Sequence, residues 1–163
     1  MNALTGSDKI SQNLTEHQTM HYDHISFHLD NYPAEFAPQQ AAHHIGYYYA
    51  WAVSQNLHSK AAESLPTFDL LKNGYISGTT FVLSELGGGI DETCFNEIGN
   101  RFTQYYYEDE EEGYGHFIND YFMALDLDSE SGFYRTEDTP ENQAKLSAVF
   151  QAAFDKWAAS LRV

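Results

Sequence analysis

The sequence predicts a mainly α protein: a single-domain bundle of five to six helices, with minor β structure at residues 21–28 and 131–136. Three observations predict it. Apolar residues recur at spacings of three and four in several segments, the period of a helix face. Helix-starting residues stand ahead of those segments and glycines stand after them. Apolar residues make up 42% of the 163 residues and aromatics 15%, enough to build a packed core in one domain.

The elements follow in order. Residues 1–20, "MNALTGSDKISQNLTEHQTM", hold no continuous apolar run. They read as a flexible N-terminal arm, neither a signal peptide nor a membrane anchor. Residues 21–163 read as the single globular helical domain. Its first stretch, "HYDHISFHLDNYPAEF", is aromatic, rich in histidine and without helical period, so extended structure is expected, ending near Pro33. The first helix spans about Ala37 to Leu57. Pro38 suits the first turn, where its missing N–H has no helical partner. Ala41, Ile45, Tyr49, Ala52 and Val53 form its apolar stripe. Gly46 costs roughly 1 kcal/mol against Ala in mid-helix, which points to a neighbour packed closely there.

A loop around "SLPTF" follows, then a short helix over Phe68 to Lys72, stopped by Asn73-Gly74. The next helix spans Ser77 to Leu86, and Gly87-Gly88-Gly89 ends it by allowing left-handed backbone angles. Asp91 is the expected cap of a helix through "DETCFNEIGNRFTQYYY", with Phe95, Ile98, Phe102 and Tyr105 or Tyr106 inward. After the acidic run, "YGHFINDYFMALDL" repeats the pattern. "SGFYRTE" reads as a short strand or extended loop. The last helix carries the clearest start signal: Thr139 as cap, Pro140 in the first turn and Glu141 at the positive end. Leu146, Val149, Phe150, Ala153, Phe154, Trp157 and Leu161 share its apolar face.

Charge narrows the function classes. Twenty-four acids against eight bases give a net charge of −16. Such a chain is a poor match for nucleic acid or an anionic membrane, both of which are met with Lys and Arg. A basic protein partner is instead drawn in by long-range attraction. Twelve acids and one base, Arg135, lie between Glu108 and Glu141. The run "EDEEE" charges the end of one helix unfavourably and the start of the next favourably. That accounts for one or two acids; the surplus is a candidate docking face. Its residues are Tyr105, Tyr106, Tyr107, Glu108, Asp109, Glu110, Glu111, Glu112, Tyr114, Asp126, Asp128 and Glu130.

Other constellations point less clearly to chemistry. His21, His24 and His28, followed by His43-His44, allow a divalent metal geometrically but lack zinc-type spacing, so no bound metal or cofactor is expected. Asp23 and Asp30 have no fixed relation to these histidines, and Asp23 with Ser26 reads as a set bonding the local backbone. No strand–turn–helix elbow exposes a nucleophile. Cys94, alone in the chain, forms no internal disulfide and reads as a partly buried, inert thiol in a reducing compartment. "LGGGID" follows a helix and has no Lys-Ser/Thr after it, so it is a helix stop and not a phosphate loop.

In order, "HYDHISFH", "HHIGYYYAW", "FNEIGNRFTQYYY" and "DTPENQAKLSAVFQAAFDKW" resemble an uncharacterised bacterial family of small acidic proteins, over residues 21 to 157. The resemblance rests on Tyr22, Asp23, Ser26, Phe27 and His28, on His44, Ile45, Gly46, Ala50 and Trp51, on Gly99, Asn100, Phe102, Tyr105 and Tyr106, and on Phe154 and Trp157. His24 departs from it, since the family pattern has an acid there. The resemblance implies no reaction and no catalytic residues. It implies a context: small acidic cytoplasmic proteins of this kind are often immunity proteins of contact-dependent or polymorphic toxin systems. The leading expectation is therefore a non-enzymatic, cytoplasmic immunity protein that binds and neutralises a cognate basic toxin domain, a nuclease by charge. The alternative is a metal-binding or hydrolytic enzyme that uses His28 and His44. A second alternative is a housekeeping interaction or oligomer module. The sequence sets no oligomeric state.

Overall fold

The structure, a computed structural model, describes residues 21–29, 32, 34, 36–108, 116–127 and 130–161. It is mainly α, with one two-stranded antiparallel sheet. Strand β1 (His21–His24) pairs with β2 (Gly89–Asp91), and Asp23 stands opposite Ile90. The register shifts between His21 and Asp23. Gly89 permits this pairing, because a Cβ there would lie 2.7 Å from the Asp23 carbonyl oxygen. A 3-10 turn, Ile25–His28, continues β1 directly. Extended structure thus covers the first half of residues 21–28, and its partner strand lies in the glycine segment read as a helix stop. Gly87 and Gly88 do take the left-handed angles that stop requires.

At the centre is α1 (His43–Ser54), entered through a 3-10 turn at Pro38–Ala42. Its sequence suggested an apolar stripe, but the helix is buried nearly all round: His44, Ile45, Gly46, Tyr47, Tyr48, Tyr49, Trp51, Ala52 and Val53. A helix apolar on every side belongs inside the domain. Its tyrosines reach outward to different elements. Tyr47 donates to the Glu137 carbonyl, Tyr48 Oη lies 2.9 Å from Thr103 Oγ1, and Tyr49 donates to the Cys94 carbonyl at 2.8 Å. Each ring contributes burial while its hydroxyl keeps a partner.

Around α1 lie α2 (Lys60–Glu63), α3 (Phe68–Lys72) and α4 (Gly78–Glu85). α4 crosses α1 at the expected close contact. A Cβ on Gly46 would lie 2.3 Å from Thr79 N, and one on Gly78 would lie 1.9 Å from Gly46 O. Glycine on both helices is what lets the backbones meet.

Two expectations are corrected. The helix expected from Asp91 is split. Asp91 caps only the 3-10 turn Glu92–Cys94, accepting from Thr93 N. Phe95 is extended, and α5 (Glu97–Thr103) starts afresh with Asn96 as its cap. That re-phasing leaves Ile98 exposed. Residues 131–136 form no strand; most of them lie in α7 (Glu130–Arg135), which follows α6 (His116–Ala124). Phe133 and Tyr134 are both buried. A strand would send such neighbours to opposite faces, whereas a helix turns both inward.

The last helix, α8 (Pro140–Ser160), starts as its sequence dictates: Thr139 Oγ1 accepts from Asn142 N at 3.1 Å. Leu146 and Phe150 are buried, Phe154 and Trp157 pack partly buried on the core, and Leu161 is exposed.

Candidate functional site

β1, the 3-10 turn after it, α1 and the segment after α5 converge on one carboxylate. Asp23 is buried in β1 and accepts four hydrogen bonds. His28 Nε2 approaches Oδ1 at 2.7 Å and His44 Nε2 approaches Oδ2 at 2.8 Å. Tyr107 Oη donates to Oδ2 at 2.5 Å, and the His24 backbone N–H donates to Oδ1 at 2.8 Å. With the His28 proton on Nε2, its Nδ1 accepts from the Tyr134 hydroxyl at 3.0 Å. Phe133 lies against His44, with ring centroids 4.6 Å apart.

Local structure explains each placement. The 3-10 turn begins where His24 Nδ1 accepts from Ser26 N, and this brings His28 back over Asp23. After α5 the chain makes a π-helical turn, Gln104–Glu108. Such turns insert one residue into a helix and re-aim its side chains. Here Tyr106 stacks on Phe102, with centroids 5.0 Å apart, while Tyr107 reaches Asp23.

Burial alone would raise the Asp23 pKa. The charges and hydrogen bonds of His44 and His28 outweigh it and hold the carboxyl well below the usual carboxylate range. Burial lowers the pKa of His44, opposed by the Asp23 charge and hydrogen bond. Burial pushes Tyr107 well above the usual phenol range, and the Asp23 charge adds to that. The site is therefore an ionised, buried carboxylate held by imidazole and phenol donors. Among the described residues no Lys or Arg pairs with it.

A second feature lies on the outside. A groove of about 700 Å³ runs between α8, α6 and the π turn, lined by Tyr105, His116, Asp120, Ala152, Lys156 and Trp157 among others. Tyr105 is 39% exposed and its hydroxyl is 3.3 Å from His116 Nε2.

The residues expected on a docking face divide accordingly. Tyr105 is exposed and lines the groove, and Asp126 is exposed with a left-handed φ of 55°. Tyr106 and Tyr107 are corrected to the interior: Tyr106 is buried, donating to Asp120 Oδ2 at 2.6 Å, and Tyr107 serves Asp23. The π turn is the reason, since it aims both rings inward. Glu108 ends that turn and Glu130 begins α7. Asp109, Glu110, Glu111, Glu112, Tyr114 and Asp128 lie outside the described residues, as do Asp30, Pro33 and the arm at 1–20.

Of the histidines, His28 and His44 meet, and His24 turns away to Gly87 O, 3.1 Å from its Nε2. Ser26 Oγ faces His24, not His28, so no Ser–His–Asp relay forms there. Cys94 is buried, and burial pushes its thiol up to about 12, as an inert cysteine requires. Sequence reasoning missed Asp23 as the hub, and Tyr107 and Tyr134 as its supports. One signal was in view: Asp23, His28 and His44 all stand in the motifs that carried the family resemblance.

The arrangement defines a mainly α domain with a buried aspartate–histidine centre. The chain belongs to the family described as Domain of unknown function (DUF7832), matched over residues 21–136, which contains the whole centre and stops before α8. No curated protein and no solved structure matches the chain. No helix among the described residues is long and apolar enough to cross a membrane.

Proposed function

We propose that the protein is an acidic inhibitor that binds and neutralises a basic protein domain, in the manner of an immunity protein against a bacterial toxin. The observation that carries this reading is surplus charge: −16 overall, with twelve acids and one base from Glu108 to Glu141. Among the described residues every ion pair uses a histidine, and Arg135 lies over the Phe36 ring, 5.6 Å from its centroid. Acids held in that number serve encounter and orientation with a basic surface. The groove supplies what charge alone lacks. Tyr105 and Trp157 offer aromatic contact at its wall, and the acidic run begins three residues after Tyr105. Large rigid rings in concave sites dominate interface energy. In this reading the protein acts in the bacterial cytoplasm, without catalysis, and the partner is a toxin domain whose basic groove normally holds nucleic acid.

The test is binding to the toxin domain encoded beside this gene, measured by surface plasmon resonance. Ala152→Trp fills the groove at an exposed position, and a weakening of about tenfold or more is expected. Lysine at Glu110, Glu111 and Glu112 is expected to slow association. If the neighbouring gene encodes no basic domain, or if neither variant changes affinity or on-rate, the reading fails.

A further inference from the structure

We propose that Asp23, His28 and His44 form a binding site for a divalent first-row transition metal. One carboxylate oxygen and two imidazole nitrogens, all within 4.8 Å of one another, come from three separate elements. Donors around one zinc-sized ion lie roughly 3–4 Å apart, so side-chain shifts alone bring this set around an ion. Two nitrogens with one carboxylate select zinc, iron(II), cobalt or nickel over magnesium and calcium, which prefer all-oxygen shells. Three protein ligands leave coordination positions open, the pattern of a reactive or exchangeable ion and not of a closed structural one.

The surroundings fit an ion better than they fit a local structural bond. Metal-binding histidines and carboxylates are held by outer hydrogen bonds that fix their orientation. Here Tyr134 holds His28 Nδ1, while Tyr107 and the His24 N–H hold Asp23. A metal on His28 Nε2 needs the ring proton on Nδ1. The Tyr134 oxygen is placed to accept it, so the exchange is a change of tautomer with no net proton release. His44 lies against the Phe133 ring, and Phe117 and Tyr121 are its further ring neighbours, an apolar wall that strengthens any charge interaction inside. Access is graded. The His44 side chain is 3% exposed, that of Asp23 9%, and that of His28 21%, so His28 marks the side from which an ion enters. The Asp23 charge also lacks any lysine or arginine partner among the described residues, which a divalent ion would supply.

This inference is independent of the inhibitor reading: the groove and the acidic run contribute no ligand to it. The experiment uses the full chain without an affinity tag, stripped with a chelator and titrated with Zn²⁺ by calorimetry and with Co²⁺ by visible absorption. One equivalent is expected to bind, with cobalt bands of mixed nitrogen and oxygen ligation. His28→Gln, His44→Gln and Asp23→Asn are each expected to weaken binding by more than about 100-fold, and Tyr134→Phe by about 10–100-fold. His28 is the most exposed ligand, so His28→Gln keeps the test open if the two buried variants fail to fold; near-ultraviolet circular dichroism checks each. A variant with His17 and His21 both changed to Gln is expected to bind as the wild type does. The proposal is overturned if the folded wild type shows no saturable binding of either ion. It is equally overturned if His28→Gln binds as well as wild type, or if the His17 and His21 variant loses the site.

Discussion

The buried Asp23 centre and the outer acidic face handle negative charge in opposite ways. In the centre a single carboxylate is surrounded by four donors from three side chains and one backbone N–H. Elsewhere in the sequence acids accumulate between Glu108 and Glu141 with one base among them, and of those described Asp126, Glu137, Asp138 and Glu141 are exposed. Charge taken out of water must be satisfied locally or it costs several kcal/mol. Charge left in water can be accumulated cheaply and spent on a partner. The centre is therefore where substitutions should harm folding, and the acidic face is where they should harm only association. The family match spans the whole centre and most of the acidic run, and it ends before α8, one wall of the groove.

The most damaging change should be Asp23→Ala. It leaves His28, His44 and Tyr107 without their acceptor, and removing one partner of a buried pair costs about 3–5 kcal/mol. Urea unfolding measures it, and a loss below about 1 kcal/mol would break the contrast. Gly46→Ala comes next. Its methyl would meet backbone atoms of Gly78 and Thr79, which cannot rotate aside as the end of a side chain can, so a loss near the upper end of about 1–3 kcal/mol is expected. The same unfolding curve should show a lower midpoint with an unchanged slope.

Acid should weaken the centre in two stages. His44 is lowered by burial, so the unfolded chain takes up a proton below about pH 6.5 while the folded chain resists it. Stability from this group is complete above that pH and falls as pH drops. Asp23 is depressed as well, so its contribution is present above about pH 3.9 and is lost below it. Unfolding midpoints at pH 7.5 and 5 should therefore differ, and His44→Gln should flatten that difference. The smallest stability effect belongs to the outer face. Lysine at Glu110, Glu111 and Glu112 should change stability by no more than about 0.5 kcal/mol. The same changes should slow partner association about tenfold. Equal loss of stability and of on-rate would mean that the acidic run belongs to the fold.

Much of the architecture was legible in the sequence because its signals are local. The helix at Phe68–Lys72, the cap at Thr139 and the glycine stop after α4 each depend on residues only a few positions apart, whereas Gly46 signalled a close neighbour without identifying Gly78 and Thr79 as that neighbour. The misreadings share one cause. Phe133-Tyr134 looked like a strand because both are β-formers, yet burying both against His44 and His28 favoured a helix. Asp91 was the expected cap, but Asn96 takes that role for the helix. Pairing of β2 with β1 kept Asp91 at the strand end, and α5 began one turn later.

The candidate site was half legible. His28 and His44 were singled out, but the spacing of Asp23 from His44, twenty-one residues, follows no local period. Tyr107 lies eighty-four residues from Asp23, and the π turn that swings it inward leaves no mark in the hydrophobic pattern.

By itself the sequence determined the mainly helical class, several helix starts and stops, net charge and the absence of an internal disulfide. These follow from backbone chemistry and composition, which act over a few residues or over the whole chain at once. Only the tertiary structure decided that three adjacent tyrosines, Tyr105, Tyr106 and Tyr107, face a groove, a core and a carboxylate in turn. It alone joined Asp23, His28 and His44. Contacts between distant segments depend on how helices pack, and packing is fixed by the fit of many side chains together, which no single stretch of sequence encodes.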